Sequence, residues 1–186
     1  YIYRILATNS SVGAFAWPFE WDRSWRVVPN RREKAAQGKH TRFPGLLDVY
    51  AMNEAASHLL GTHDFSSFRS SGCERASPIV TMHDIQVVSQ PYGEPLLWAA
   101  TGGLLGLGDE TSEPLPQLVT VKIVGSSFLY HQVRNMVGAL VEVGSGSIPP
   151  GELKSVLAAK NSSQSPMMAP AHGLYLADVQ HDDIVL

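Results

Sequence analysis

Cysteine occurs once in the 186 residues, at Cys73, which excludes an internal disulfide and any cysteine-rich zinc site and points to a reducing, intracellular compartment. Charge is sparse too: 17% of residues are charged against 44% apolar, too few charges for a disordered tail or a coiled coil. No stretch reaches the roughly 18 consecutive apolar residues that a membrane span needs, so no membrane partner is expected. The phosphate-cradling Gly-x-x-x-x-Gly-Lys, the Gly-x-Ser-x-Gly elbow and the His-Glu-x-x-His zinc motif are all missing. Seven histidines are scattered without ligand spacing, and His131 has no partner at 127 or 135, so no metal is expected. Methionine and a polar lead-in are absent from the opening Tyr1-Ile2-Tyr3-Arg4-Ile5-Leu6, which reads as the inside of a strand. The expectation is therefore a fragment, forming a single domain over 1–186.

What is present is unevenly spread. Arg23, Arg26, Arg31, Arg32, Lys34, Lys39 and Arg42 face the single acid Glu33, so this segment is about +6 while the chain as a whole is −3. Just upstream, Trp17, Trp21 and Trp25 recur every four residues. Cations beside aromatics suit a polyanion, with charges on phosphates and rings on bases; a solvated loop clipped onto the core by its tryptophans accounts for the pattern equally well. Residues 10–46 read as an irregular insertion, and the glycine-rich 91–116 as a second.

Between the insertions the periodicity is clear. Tyr1 to Ala7, Ile79 to Ser89, Leu118 to Val124 and Leu174 to Val179 alternate as strands. Asp48 opens a helix that Gly61 stops, Phe128 to Val143 is the strongest helix, and Gly151 to Ala159 follows Pro149-Pro150 as a third. His63 to Pro78 reads as polar and turn-rich. Strands outnumber βαβ crossovers, which predicts an α+β fold: a mostly antiparallel mixed sheet covered on one side by helices.

Two residues invite chemistry. Cys73 in Ser71-Gly72-Cys73 reads as a small packer, with a thiol hydrolase as the rival. Arg134 falls where the apolar arc of the 128–143 helix meets a polar arc holding His131, Asn135 and Glu142. A cation leaving a buried seam needs a carboxylate or phosphate partner; pairing with a local acid such as Glu142 is the plainer account.

The stretch His63-Asp64-Phe65-Ser66-Ser67-Phe68-Arg69-Ser70-Ser71-Gly72-Cys73-Glu74-Arg75-Ala76-Ser77-Pro78 resembles a signature of the tRNA pseudouridine synthase A (TruA) family. So do Phe128-Leu129-Tyr130-His131-Gln132-Val133-Arg134-Asn135-Met136-Val137-Gly138, the following Val141-Glu142-Val143-Gly144, and Ala169-Pro170-Ala171-His172-Gly173-Leu174-Tyr175-Leu176. These motifs keep the family's order over 47–90 and 118–179.

The resemblance implies the C-terminal half of a pseudouridine synthase fold that isomerises uridine in the anticodon arm of tRNA, without metal or organic cofactor. Members use an aspartate in Gly-Arg-Thr-Asp to cleave the C1′–N1 bond, after which the base turns and rejoins through C5. By resemblance Arg134 is the arginine that pairs with this aspartate, Tyr1 is the ring that packs on the target base, and Leu174 lines the pocket. Arg69 and Arg75 become phosphate or rim contacts, or ordinary turn-stabilising arginines. No Gly-Arg-Thr-Asp occurs in these 186 residues, so the expected partners are tRNA and a missing N-terminal half carrying the acid, with association of two copies as in many members. The fragment alone is expected to be inactive. Asp64 matches a different motif and reads as a turn cap, and Val80 stands where many members carry arginine. A non-catalytic RNA-binding module of the same fold is the alternative.

Overall fold

Alternating apolar residues build a sheet with one buried face. A computed structural model describes residues 1–8, 22–28, 46–92, 116–164 and 167–180. Strands β1 (Ile2–Ala7), β2 (Trp25–Val27), β3 (Gly61–Asp64), β4 (Ile79–Pro91), β5 (Gln117–Gly125) and β6 (Leu174–Tyr175) form one mixed sheet in the order β2-β1-β5-β4-β3. β6 also pairs with β1. All pairings are antiparallel except β1 with β2. The register sets Tyr3 against Val121, Ile5 against Val119, Val87 against Val121 and Ile85 against Ile123. These residues share a face and are buried, each full burial of such a side chain contributing about 1.5–3 kcal/mol. Their neighbours Lys122 and Val124 point the other way and are exposed, with Lys122 Nζ 3.3 Å from Asp84 Oδ2.

Among the described residues three helices accompany the sheet: α1 (Val49–Ser57), α2 (Gln132–Ser145) and α3 (Glu152–Ala159). Asp48 caps α1, its Oδ1 accepting from Ala51 N at 3.0 Å. α1 buries Met52, Ala55 and Ala56, and the Asp48 N–H donates to Gly144 O at 2.9 Å, joining it to α2. Gly144 leaves room for this approach, since a Cβ there would sit 2.6 Å from the Met52 sulfur. The α+β class and the mostly antiparallel mixed sheet are thus as expected.

Several boundaries differ from the sequence reading, each for a local reason. α1 ends at Ser57, and Gly61 does not stop the helix; at φ 95° it turns the chain into β3. The 63–78 segment is only partly polar turn. It contains the rest of β3 and a 3-10 turn, Ser66–Phe68, in which Phe68 and the preceding Phe65 are fully buried. The 128–143 helix begins four residues late, at Gln132, because His131 sits in the left-handed region at φ 60°. It runs on through Gly144 to a left-handed cap at Gly146. The last strand is two residues long rather than Leu174 to Val179. The 10–46 segment is not irregular throughout, since β2 lies within it; Trp17, Trp21, the bases from Arg31 to Arg42 and the glycine-rich 93–115 lie outside the described residues.

Candidate active site around Arg134

Arg134 lies in the first turn of α2, and that turn is built without a capping side chain at His131. Instead Gln132 is buried, and its Oε1 accepts from Leu129 N at 2.8 Å, closing the chain just before the helix. Arg134 is half-buried, and its Nε donates to Ala169 O at 2.7 Å while its own carbonyl accepts from Ala169 N at 3.1 Å. Glu142 is not its partner: Glu142 Oε1 accepts from Met167 N at 3.2 Å. Among the described residues Arg134 forms no ion pair, and its terminal nitrogens donate no hydrogen bond. A cation held by its Nε with its two outer nitrogens free is set up to receive an anion in bidentate fashion.

The segment that holds Arg134 is itself pinned. A Cβ at Gly138 would lie 1.6 Å from Met167 O, so only glycine lets the segment cross α2 this closely. Four residues past Ala169, Gly173 packs under the Tyr3 ring, where a Cβ would sit 2.7 Å away. The Tyr3 hydroxyl donates to Pro170 O at 2.6 Å, and β6 then pairs Leu174 with Tyr3. Burial pushes the Tyr3 phenol far above its ordinary range, the Arg134 cation acting in the opposite direction. The hydroxyl therefore stays protonated and donates to the carbonyl. Leu174 is half-buried against the core.

Tyr1 stands two residues before Tyr3, half-buried, its ring edge-on to Phe128 with centroids 4.9 Å apart and planes at 88°. The 69–78 loop docks beside the start of α2. Asn135 Nδ2 donates to Phe68 O at 2.8 Å, Ser70 N to Tyr130 O at 3.3 Å, and Tyr130 N to Cys73 Sγ at 3.5 Å. Arg69 donates through Nη2 to Cys73 O, and the exposed Arg75 through Nη1 to Ser127 Oγ at 2.6 Å. Hydrogen bonds from the backbone of Tyr130 and Arg75, with the Arg69 cation nearby, hold the Cys73 thiol below its ordinary range. Cys73 packs against the core, and among the described residues no histidine hydrogen-bonds to it. Asp64 is the expected turn cap, its Oδ1 accepting from Ser66 N at 3.0 Å and Ser66 Oγ at 2.6 Å.

Arg134 and Leu174 are thus tied together through Tyr3 and the Ala169–Gly173 segment, with Tyr1 immediately preceding the strand that carries Tyr3. Arg69 and Arg75 reach this region only through the loop they brace. Tyr3, Pro170 and Gly138 went unsingled in the sequence, because a buried tyrosine and a helical glycine carry no periodic signal of the partner that meets them. Asn135, placed on a polar arc by periodicity, is buried and bonded to Phe68 O.

The family model described as tRNA pseudouridine synthase matches residues 55–182. The chain is 34% identical over 181 residues to the tRNA pseudouridine synthase A of Xanthobacter autotrophicus, covering 97% of this chain and 55% of the relative. The Rhodospirillum centenum protein of that name is 39% identical over 156 residues, covering 83% and 53%, and that of Beijerinckia indica 35% over 183, covering 98% and 53%. The chain belongs to the tRNA pseudouridine synthase family. It spans about half the length of the curated relatives it matches.

Proposed function

We propose that this chain supplies the arginine-bearing wall of a tRNA pseudouridine synthase site, completed by a catalytic aspartate from polypeptide outside these 186 residues. The observation that carries this reading is Arg134: half-buried, oriented by Ala169 through Nε, and free of any carboxylate among the described residues. A guanidinium in that state stabilises the ionised form of an approaching carboxylate and aims it. The aspartate then acts in cleaving the C1′–N1 bond of uridine, and the detached base rejoins through C5, which gives up its proton while N1 takes one up.

The target base must leave its stack to be reached. Tyr1 packs against that base, with Phe128 bracing the Tyr1 ring edge-on and Leu174 closing the apolar side of the pocket. Arg69 and Arg75 hold the RNA backbone near the rim, and the substrate is the anticodon arm of tRNA. The experiment uses the full-length protein and tRNA transcripts, reading pseudouridine formation and tRNA affinity separately. Arg134→Ala is expected to lose about 10²-fold or more in turnover, the scale of positioned acid–base groups, with affinity changed only a few-fold. Near-normal turnover in this variant removes Arg134 from the chemistry. Pseudouridine formation by residues 1–186 alone shows that the catalytic acid lies within them.

A further inference from the structure

Tyr130 and His131 form a ring pair that the catalytic reading leaves unused. Their centroids are 3.7 Å apart with planes at 27°, a face-to-face stack, and Tyr130 is 54% exposed. The pair is fixed from below. The Tyr130 amide donates to Cys73 Sγ and its carbonyl accepts from Ser70 N, so both of its backbone groups are held by the 69–75 loop. His131 keeps a left-handed φ of 60°, a conformation that side-chain-bearing residues rarely adopt and that recurs where structure serves a site. Burial and the Arg134 cation hold the His131 ring below its ordinary pKa, so it is the neutral imidazole at neutral pH. An exposed aromatic face on a rigid, neutral support is a platform, and its surroundings say for what. Arg69 and Arg75 lie on the loop that holds Tyr130, and neither has a carboxylate partner among the described residues.

We propose that the stacked Tyr130–His131 pair is a platform for an unpaired RNA base next to the one being isomerised, the Arg69 and Arg75 guanidiniums taking its flanking phosphates. Rings stack on any base face while cations track the backbone, so the surface matches single-stranded nucleic acid rather than a protein partner. This inference rests on the reading of the chain as part of an RNA-modifying enzyme. Its new content is which residues grip the loop outside the reacting nucleotide.

The test uses the full-length protein and an anticodon stem-loop RNA, with a series carrying one abasic nucleotide at each loop position in turn. Tyr130→Ala is expected to weaken binding about 5- to 100-fold, as removal of one base–aromatic stack does, and Tyr130→Phe to recover most of it. Tyr50, 81% exposed on α1, supplies the control: Tyr50→Ala is expected to bind as the wild type. One abasic position should weaken the wild type and leave Tyr130→Ala no weaker than before. A folded Tyr130→Ala protein with wild-type affinity overturns the inference, as does a series in which each abasic site weakens both proteins equally. If the wild type converts uridine normally while Tyr130 is inert, the inference alone fails. If it converts none, the parent reading fails and takes this one with it.

Discussion

Gly138→Ala sets two physical effects of opposite sign against each other. In a helix interior alanine is favoured over glycine by about 1 kcal/mol, so on propensity alone the change stabilises α2. The structure argues the reverse. The new Cβ would lie 1.6 Å from Met167 O, 2.8 Å from Met167 C and 3.2 Å from Ala169 N, all backbone atoms that no rotamer change can move. Restoring ordinary contact requires the crossing segment to retreat by about 2 Å, which breaks both hydrogen bonds between Arg134 and Ala169. Overpacking costs about 1–3 kcal/mol and each hydrogen bond about 1 kcal/mol. Set against the propensity gain, the net loss is about 2–4 kcal/mol, or a fall in Tm on the order of 10 °C for a protein of this size. Urea and thermal denaturation monitored by circular dichroism measure it. A variant as stable as the wild type, or more stable, refutes the reasoning, because propensity would then have prevailed over backbone contact.

The remaining predictions concern the same frame. Tyr3→Phe removes the donor to Pro170 O and is expected to lose about 1–2 kcal/mol of stability, read by denaturant unfolding, with Leu174 less firmly held. A cost indistinguishable from zero would show that the hydroxyl pins nothing. Asp64 is held below its ordinary pKa of 3.8, chiefly by the Ser66 hydroxyl and with Lys160 assisting. The unfolded chain therefore binds the proton first, and this contribution, complete at higher pH, is lost as the pH falls below about 3.8. Ser66→Ala should raise the Asp64 pKa in a carboxyl-detected NMR titration and flatten that acid limb; an unmoved titration would exclude Ser66 as the cause.

Much of this was legible before any coordinates, and the reasons are local. The apolar alternation of Ile79 to Ser89 and Leu118 to Val124 placed both central strands: β4 starts at Ile79 and runs on to Pro91, and β5 spans Gln117–Gly125. Asp48 announced its own cap, because an acid before a helical stripe has one local job. What escaped was nonlocal. The 3.6-residue period of 128–143 runs unbroken through His131, and nothing in it reveals the left-handed backbone that delays the helix to Gln132. β2 is three residues long and pairs in parallel with β1, a contact too short to leave a pattern. Phe65 and Phe68 sit in a polar-looking stretch yet are fully buried, since burial there follows from the docking of the segment rather than from its own sequence. For the site, Arg134 was visible as a cation at the edge of an apolar arc. Its actual neighbours, Ala169 and Tyr3, are brought to it by the fold.

The central claim is that the outer nitrogens of Arg134 receive a carboxylate from outside these residues. A crystal structure of the full-length protein measures this directly, as the distance from the Arg134 guanidinium to the nearest carboxylate contributed by the rest of the chain. The account predicts an aspartate within ion-pair reach, about 3 Å and in bidentate geometry, with the Nε bond to Ala169 O kept. A guanidinium turned into bulk water, or one paired only with an acid from these 186 residues, would contradict it.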